Sequence, residues 1–130
     1  MSISSRLAIA LGLCLGLSLA ACGGDENGEP TGSTCPDNST LTYDNFGAQF
    51  MTSYCTRCHS TTKVGADRKG APGDHNFDTK DDILAFAEHI DEYAAGGPDA
   101  VNTIMPPSTP KPTEEERKKL GEWLACETAK

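Results

Sequence analysis

The feature that most constrains this chain is the five-residue stretch Cys55-Thr56-Arg57-Cys58-His59. It places two thiols and one imidazole side by side in a protein of 130 residues that contains three histidines and six cysteines. Three chemistries use closely spaced cysteine and histidine residues: a zinc site, a redox-active dithiol and the covalent attachment of haem. Each needs a different fold and cellular compartment, so the rest of the sequence must decide among them.

The N-terminus predicts export. Arg6 is followed by the apolar run LAIALGLCLGLSLAA, which is too short to span a bilayer stably and is typical of a secretory signal. The run ends in Leu19-Ala20-Ala21-Cys22, which resembles the lipobox of bacterial lipoproteins. The resemblance implies removal of residues 1–21 and attachment of lipid to Cys22. It places the protein in the bacterial cell envelope, on the periplasmic side or the outer surface. An ordinary signal peptide with an incidental cysteine is the alternative.

Residues 22–42 are expected to form the lipidated end and a flexible linker, because they are almost entirely glycine, proline and small polar residues. Removal of Arg6 leaves 10 basic against 19 acidic residues, a formal net charge of −9 for the processed chain. Such a surface disfavours nucleic acid as a partner. It suits protein partners with a basic docking face, although solubility is the commoner reason for an acidic surface.

The remaining residues, 43–130, predict an all-α domain. Apolar side chains recur at helical spacing within residues 42–55, 78–97 and 112–127, whereas no segment after Thr42 alternates in the manner of a strand. Thr79 and Thr113 precede two of these segments as expected N-caps. Three or more short helices joined by long loops contain little apolar material, and 6% of the residues are aromatic. A chain of this kind needs a cross-link, a metal or a large cofactor at its centre.

The order of residues in the motif favours haem. CxxC followed at once by His is the attachment signature of c-type haem, in which the thiols bond to the porphyrin and the imidazole binds the iron. A thioredoxin-type dithiol requires a βαβ unit, and strand patterns are absent here. A zinc site requires a fourth ligand, which His75 could supply, but adjacent Cys58 and His59 would strain a tetrahedron.

Met105 extends the haem interpretation to the other side of the iron. It lies in the loop sequence NTIMPPSTP, where Pro106 and Pro107 follow it directly. With the CTRCH motif this makes residues 43–126 resemble a small class I cytochrome c. The resemblance implies a cytochrome c-like fold wrapped around one covalent haem c, with His59 and Met105 as the axial ligands of the iron. His75 is the rival to Met105.

The same resemblance assigns further roles. Gly47 matches the small residue at which the first and last helices of the family cross, and Trp123 belongs to the matching pattern on the last helix. Pro72 matches a proline whose carbonyl accepts the Nδ1 proton of the proximal histidine. Because the family fold brings the terminal helices together, it also implies a disulfide between Cys35 and Cys126, the two cysteines left after processing, lipidation and haem attachment.

These expectations combine into a function. Axial His and Met ligation leaves no open coordination position and raises the reduction potential, so the chain is expected to be an electron carrier and not an enzyme. A membrane-tethered monohaem cytochrome would exchange single electrons with redox partner proteins. Two alternatives stay open: a haem protein that binds or senses a small ligand, and a haem relay subunit of a larger redox complex.

Overall fold

Four short helices and no strand make up the part of the chain that the computed structural model describes, residues 27–130. The predicted signal peptide and the lipid attachment at Cys22 lie outside the described residues. The helices are α1 (Ala48–Tyr54), α2 (Lys80–Leu84), α3 (Ala87–Ala94) and α4 (Glu114–Thr128). A π-helical turn, Tyr43–Gly47, runs directly into α1, and a 3₁₀ turn spans Gly65–Arg68. The expected all-α class is confirmed.

The helix starts follow the sequence signals. The Thr113 side chain accepts a hydrogen bond from the Glu116 backbone N–H, and the Glu116 carboxylate accepts one from the Thr113 N–H in return. Thr79 caps α2 by accepting from the N–H of Asp82. These bonds satisfy backbone donors that have no partner in the first turn of a helix.

The single helix expected within residues 78–97 is instead two helices. The helix is interrupted at Phe86, whose φ of −119° and ψ of 21° are not helical. At this break the Phe86 ring packs against His75, with ring centroids 4.3 Å apart, and against Phe77 at 6.1 Å. The apolar periodicity continues across the break, so the sequence pattern did not reveal it.

The first and last helical segments cross at Gly47 and Trp123. A Cβ atom placed on Gly47 would lie 2.5 Å from Cζ2 of Trp123, a distance that real Cβ contacts do not show. Trp123 and Leu120 are fully buried here, and Met51 on α1 is nearly so. The residue at position 47 is therefore restricted to glycine by close packing.

The predicted disulfide between Cys35 and Cys126 is confirmed. The two Cα atoms are 4.6 Å apart, and the bond joins the segment before the first helical turn to the end of α4. It closes 91 positions of chain, for which the loop-entropy treatment gives a stabilisation of about 4–5 kcal/mol.

The segment from Asn27 to Cys35, here called the N-terminal strap, is packed on the domain, so the expectation of a flexible linker to Thr42 is wrong there. Thr31 is fully buried, and its backbone N–H and hydroxyl donate to the two carboxylate oxygens of Asp91 at 2.9 and 2.6 Å. The Asn102 amide donates to the Glu29 carbonyl at 2.7 Å. Polar bonding orders this segment, whereas the composition argument considered only apolar burial.

None of the helices formed by residues 27–130 is long and apolar enough to cross a membrane.

Candidate functional site

One cavity brings together the residues predicted to bind haem. Cys55, Cys58, His59 and Met105 all line it, although His59 and Met105 are 46 positions apart in the sequence. Its volume is about 280 Å³, just below the roughly 300–1,000 Å³ of small-molecule sites, and most of its wall is apolar. The wall is built from the end of α1, the loop that follows it, α3 and the residues around Met105.

The cysteine motif forms a turn that continues α1. The N–H of Cys55 donates to the Met51 carbonyl at 2.8 Å, and the N–H groups of Cys58 and His59 both donate to the Cys55 carbonyl, at 3.1 and 2.9 Å. Both thiols are free. These backbone bonds hold Cys55, Cys58 and His59 on one compact turn.

The Cys55 thiol does not have the character of a redox-active cysteine. Burial raises the pKa of Cys55 to about 12, and the nearby Arg57 and Arg117 offset this only in part. A dithiol of the thioredoxin type depends on a thiol whose pKa is lowered, because the thiolate is the reactive form. The environment of Cys55 therefore argues against the redox-dithiol interpretation.

The His59 imidazole is held in one tautomer. Its Nδ1 lies 3.1 Å from the carbonyl oxygen of His75. Because a carbonyl can only accept, Nδ1 carries the proton and Nε2 keeps a free lone pair. Burial lowers the pKa of His59, an effect that the hydrogen bond to His75 opposes, so the ring is neutral at pH 7. The ring also stacks on Phe77, with centroids 4.7 Å apart.

The carbonyl that orients His59 belongs to His75, so the assignment of this role to Pro72 is wrong. Pro72 does line the cavity, but its carbonyl accepts a hydrogen bond from Nη2 of Arg68. Arg68 also donates to the Ala71 carbonyl at 3.1 Å. The loop is therefore folded around the guanidinium, which also donates to the His75 carbonyl, so this one oxygen accepts from both Arg68 and His59.

All three histidines of the chain line the cavity. The His75 ring packs against that of His89, with centroids 5.2 Å apart, and its Nδ1 lies 2.9 Å from Oδ1 of Asp74. The His75 ring thus remains the rival to Met105 as a second ligand. Within residues 27–130 no three Cys, His, Asp or Glu side chains are grouped to hold a metal ion.

Met105 is fixed through its backbone by two helices. Its N–H donates to the Tyr93 carbonyl on α3 at 2.8 Å, and its carbonyl accepts from Nη1 of Arg117 on α4 at 2.8 Å. Arg117 is almost completely buried and donates to the carbonyls of Ala94 and Asn102 as well, both at 2.7 Å. The Met105 thioether therefore lies on a loop that hydrogen bonds to α3 and α4 hold in place.

Sequence reasoning missed the arginines that hold these loops. Arg117 lies one turn before Leu120 on the buried face of α4, so helical spacing could have revealed it. Arg68 lies in a loop without periodicity, and no sequence signal marks it. Arg57, inside the motif, donates to the carbonyls of Ser108 and Thr109 in the loop after Met105.

Charge is distributed unevenly around the cavity. The charged residues that line it are Arg57, Arg68 and Lys69, and no Asp or Glu of the described chain is among its lining residues. This is the reverse of the whole protein, in which acidic residues outnumber basic ones by 19 to 11. The cavity therefore suits a ligand that is mainly apolar and carries carboxylate groups.

Comparison with protein-family models, with curated proteins and with solved structures found no match to this chain.

Proposed function

We propose that the protein is a monohaem c-type cytochrome that carries single electrons between redox partner proteins. The observation that carries the proposal is the convergence of Cys55, Cys58, His59 and Met105 on one apolar cavity. The two cysteines and His59 are neighbours in sequence, but Met105 reaches the cavity only through the fold.

The donor set fits haem c. Two free thiols can form the two thioether bonds of covalent attachment, and a neutral imidazole and a thioether are the axial ligands of a cytochrome c. Lys69 and Arg57 at the cavity suit the propionate carboxylates of the group, whereas the donors of Arg68 are occupied by acceptors of its own loop. When bound, haem would supply an iron that alternates between the ferric and ferrous states.

The protein's own residues would hold this group and shield it. The His75 carbonyl keeps the Nδ1 proton on His59, so Nε2 is the nitrogen available to a metal. The backbone bonds of Met105 to Tyr93 and Arg117 present the thioether from a fixed loop. Phe50 and Ile90 contribute apolar wall that excludes water. With both axial positions filled, electron transfer is favoured over chemistry on a bound substrate, and we assign no catalytic residue.

A cytochrome c-like fold and a location in the bacterial cell envelope belong to the same proposal. The crossing at Gly47 and Trp123, and the cysteine motif directly after α1, support the fold. The lipobox-like sequence before Cys22 supports anchoring to a membrane by lipid, and the disulfide fits an oxidising compartment.

An absorption spectrum of protein produced in a host that matures c-type cytochromes tests the proposal. We expect a reduced spectrum typical of haem c, together with a weak band at the red edge of the oxidised spectrum from Met ligation. The reduced protein should not bind carbon monoxide at neutral pH. Carbon monoxide binding without denaturant would favour a ligand-sensing haem protein, and absence of covalent haem would refute the proposal.

A further inference from the structure

Arg68 is a buried cation without an ion pair in the described part of the chain. The residue is 8% exposed, and it makes no salt bridge within residues 27–130. It is surrounded by neutral acceptors in the loop after the cysteine motif. They are the carbonyls of Ser60 (2.9 Å), Lys63 (3.4 Å), Ala71 (3.1 Å), Pro72 and His75 (3.0 Å), and Oδ1 of Asn76 (2.9 Å).

One of these acceptors links Arg68 to the predicted iron ligand. The His75 carbonyl oxygen accepts from Nη2 of Arg68 at 3.0 Å and from Nδ1 of His59 at 3.1 Å. A single oxygen therefore joins an unpaired guanidinium to the imidazole. Neutral acceptors relieve part of the cost of burying this charge, and Asp74 and Asp78 are near enough to interact with it electrostatically without forming an ion pair. The guanidinium therefore keeps its positive charge beside the site.

We propose that Arg68 is a positioning residue that raises the reduction potential of the haem. The inference rests on the proposed function. One electron from a reduced partner protein lowers the charge of the centre by one, while the Nδ1 proton stays on His59. A positive charge held nearby in a medium of low dielectric favours the reduced state.

The shared carbonyl acts in the same direction. A carbonyl already polarised by a guanidinium attracts the Nδ1 proton less strongly, so the imidazole becomes a weaker electron donor to a metal at Nε2. Weaker donation also favours the reduced state. Both effects depend on the charge of Arg68, whereas the folding of the loop depends on its hydrogen bonds.

An Asn76→Asp variant places a negative charge beside the guanidinium and keeps an acceptor there, although it loses the hydrogen bond from the Asn76 amide to the Gly73 carbonyl. The new carboxylate would stand where the amide oxygen now accepts from Nη1 of Arg68 at 2.9 Å, so it would neutralise the guanidinium without removing it. We expect the reduction equilibrium constant to fall about tenfold, which is about 59 mV for one electron, while the Met-ligation band is retained. Asn45→Asp adds the same charge at an exposed N-terminal cap and should change the constant by less than about twofold, because solvent screens it.

If Asn76→Asp fails to fold, a comparison of Arg68→Lys with Arg68→Met tests whether the charge of Arg68 raises the reduction potential. Lysine keeps the charge and should retain most of the potential, whereas methionine should lower it by about as much as Asn76→Asp. In the reduced protein, proton NMR should show a stronger hydrogen bond at His59 Nδ1 in the methionine variant.

Either of two results would overturn the inference: an unchanged potential in a folded Asn76→Asp protein, or equal shifts in the lysine and methionine variants. Equal shifts would mean that Arg68 only shapes the loop. Failure of the proposed function is distinguishable from both, because the parent protein would then lack covalent haem altogether.

Discussion

The thiols of Cys55 and Cys58 would form the covalent bonds to the proposed haem. Both are free, and both line the cavity beside His59. Replacement of both by alanine removes the sulfurs and leaves the apolar wall and the imidazole in place. We expect complete loss of haem staining after denaturing electrophoresis.

The two disulfide-bonded cysteines supply the control for this experiment. Replacement of Cys35 and Cys126 by alanine should weaken the fold without removing the haem stain, because neither residue lines the cavity. Staining that survived in the Cys55→Ala, Cys58→Ala protein would show that these sulfurs do not hold a haem.

Met105 and His75 are the two candidates for the second iron ligand under the proposed function, and their substitutions should differ sharply. Met105→Ala should lower the reduction potential by about 0.1 V or more, since axial ligands set haem potentials over a range of about 0.8 V. It should also abolish the red-edge band of the oxidised protein and allow carbon monoxide to bind to the reduced protein.

His75→Ala is the matched comparison, because its backbone carbonyl, which orients His59, is kept. It should leave the red-edge band in place and iron closed to carbon monoxide. If His75→Ala opened the iron and Met105→Ala did not, the haem would have two histidine ligands.

Among the helices, the crossing of the first helical segment with α4 is the contact most sensitive to volume. A methyl group on Gly47 would meet three atoms of the Trp123 ring at 2.5–2.9 Å, and the ring is fully buried and cannot move aside. Gly47→Ala should therefore lower the free energy of unfolding by about 1–3 kcal/mol, despite the better helix propensity of alanine. Urea denaturation measures this difference.

Gly73→Ala is the control for Gly47→Ala. Nothing lies within 4 Å of a Cβ atom at Gly73. Its free energy of unfolding should stay within about 0.5 kcal/mol of that of the parent. A Gly47→Ala protein as stable as Gly73→Ala would contradict the close approach of the two segments.

The elements differ in how far the sequence could predict them. The caps at Thr79 and Thr113 are local signals, and the apolar stripe of α4 is a periodic one, so both could be read from neighbouring residues. The break at Phe86 could not, because it depends on rings that come from another loop.

The loops around the site are held by polar hydrogen bonds that leave no periodic pattern in the sequence. The sequence identified Cys55, Cys58, His59 and Met105 as lining residues because their types and order carry the chemistry. It misplaced the acceptor of the His59 proton because Arg68 shapes the loop by donating to several backbone carbonyls, those of Pro72 and His75 among them, and such bonds leave no periodicity.

At the scale of the whole molecule, the strap changes how the domain would stand at a membrane. Composition suggested a coil extending to Thr42, which would leave the domain free to move. Asn27 is the first described residue of the strap, and its Oδ1 accepts from the Tyr93 hydroxyl at 3.3 Å. If lipid is attached to Cys22, five Cα–Cα steps separate anchor and strap, which reach at most about 18 Å. Tyr93 also lines the cavity, so lipid at Cys22 would join the domain on the face that carries the cavity.

Anchoring itself can be tested by replacing Cys22 with serine. Without the thiol no lipid can be attached, so the variant should leave the membrane fraction for the soluble fraction. Its haem spectrum should be unchanged, because none of the predicted haem-binding residues is replaced. Cys14→Ser is the matched control: Cys14 lies within the expected signal peptide, so its loss should leave the protein in the membrane fraction. Membrane association that persisted in Cys22→Ser after a high-salt wash would contradict lipid anchoring at this residue.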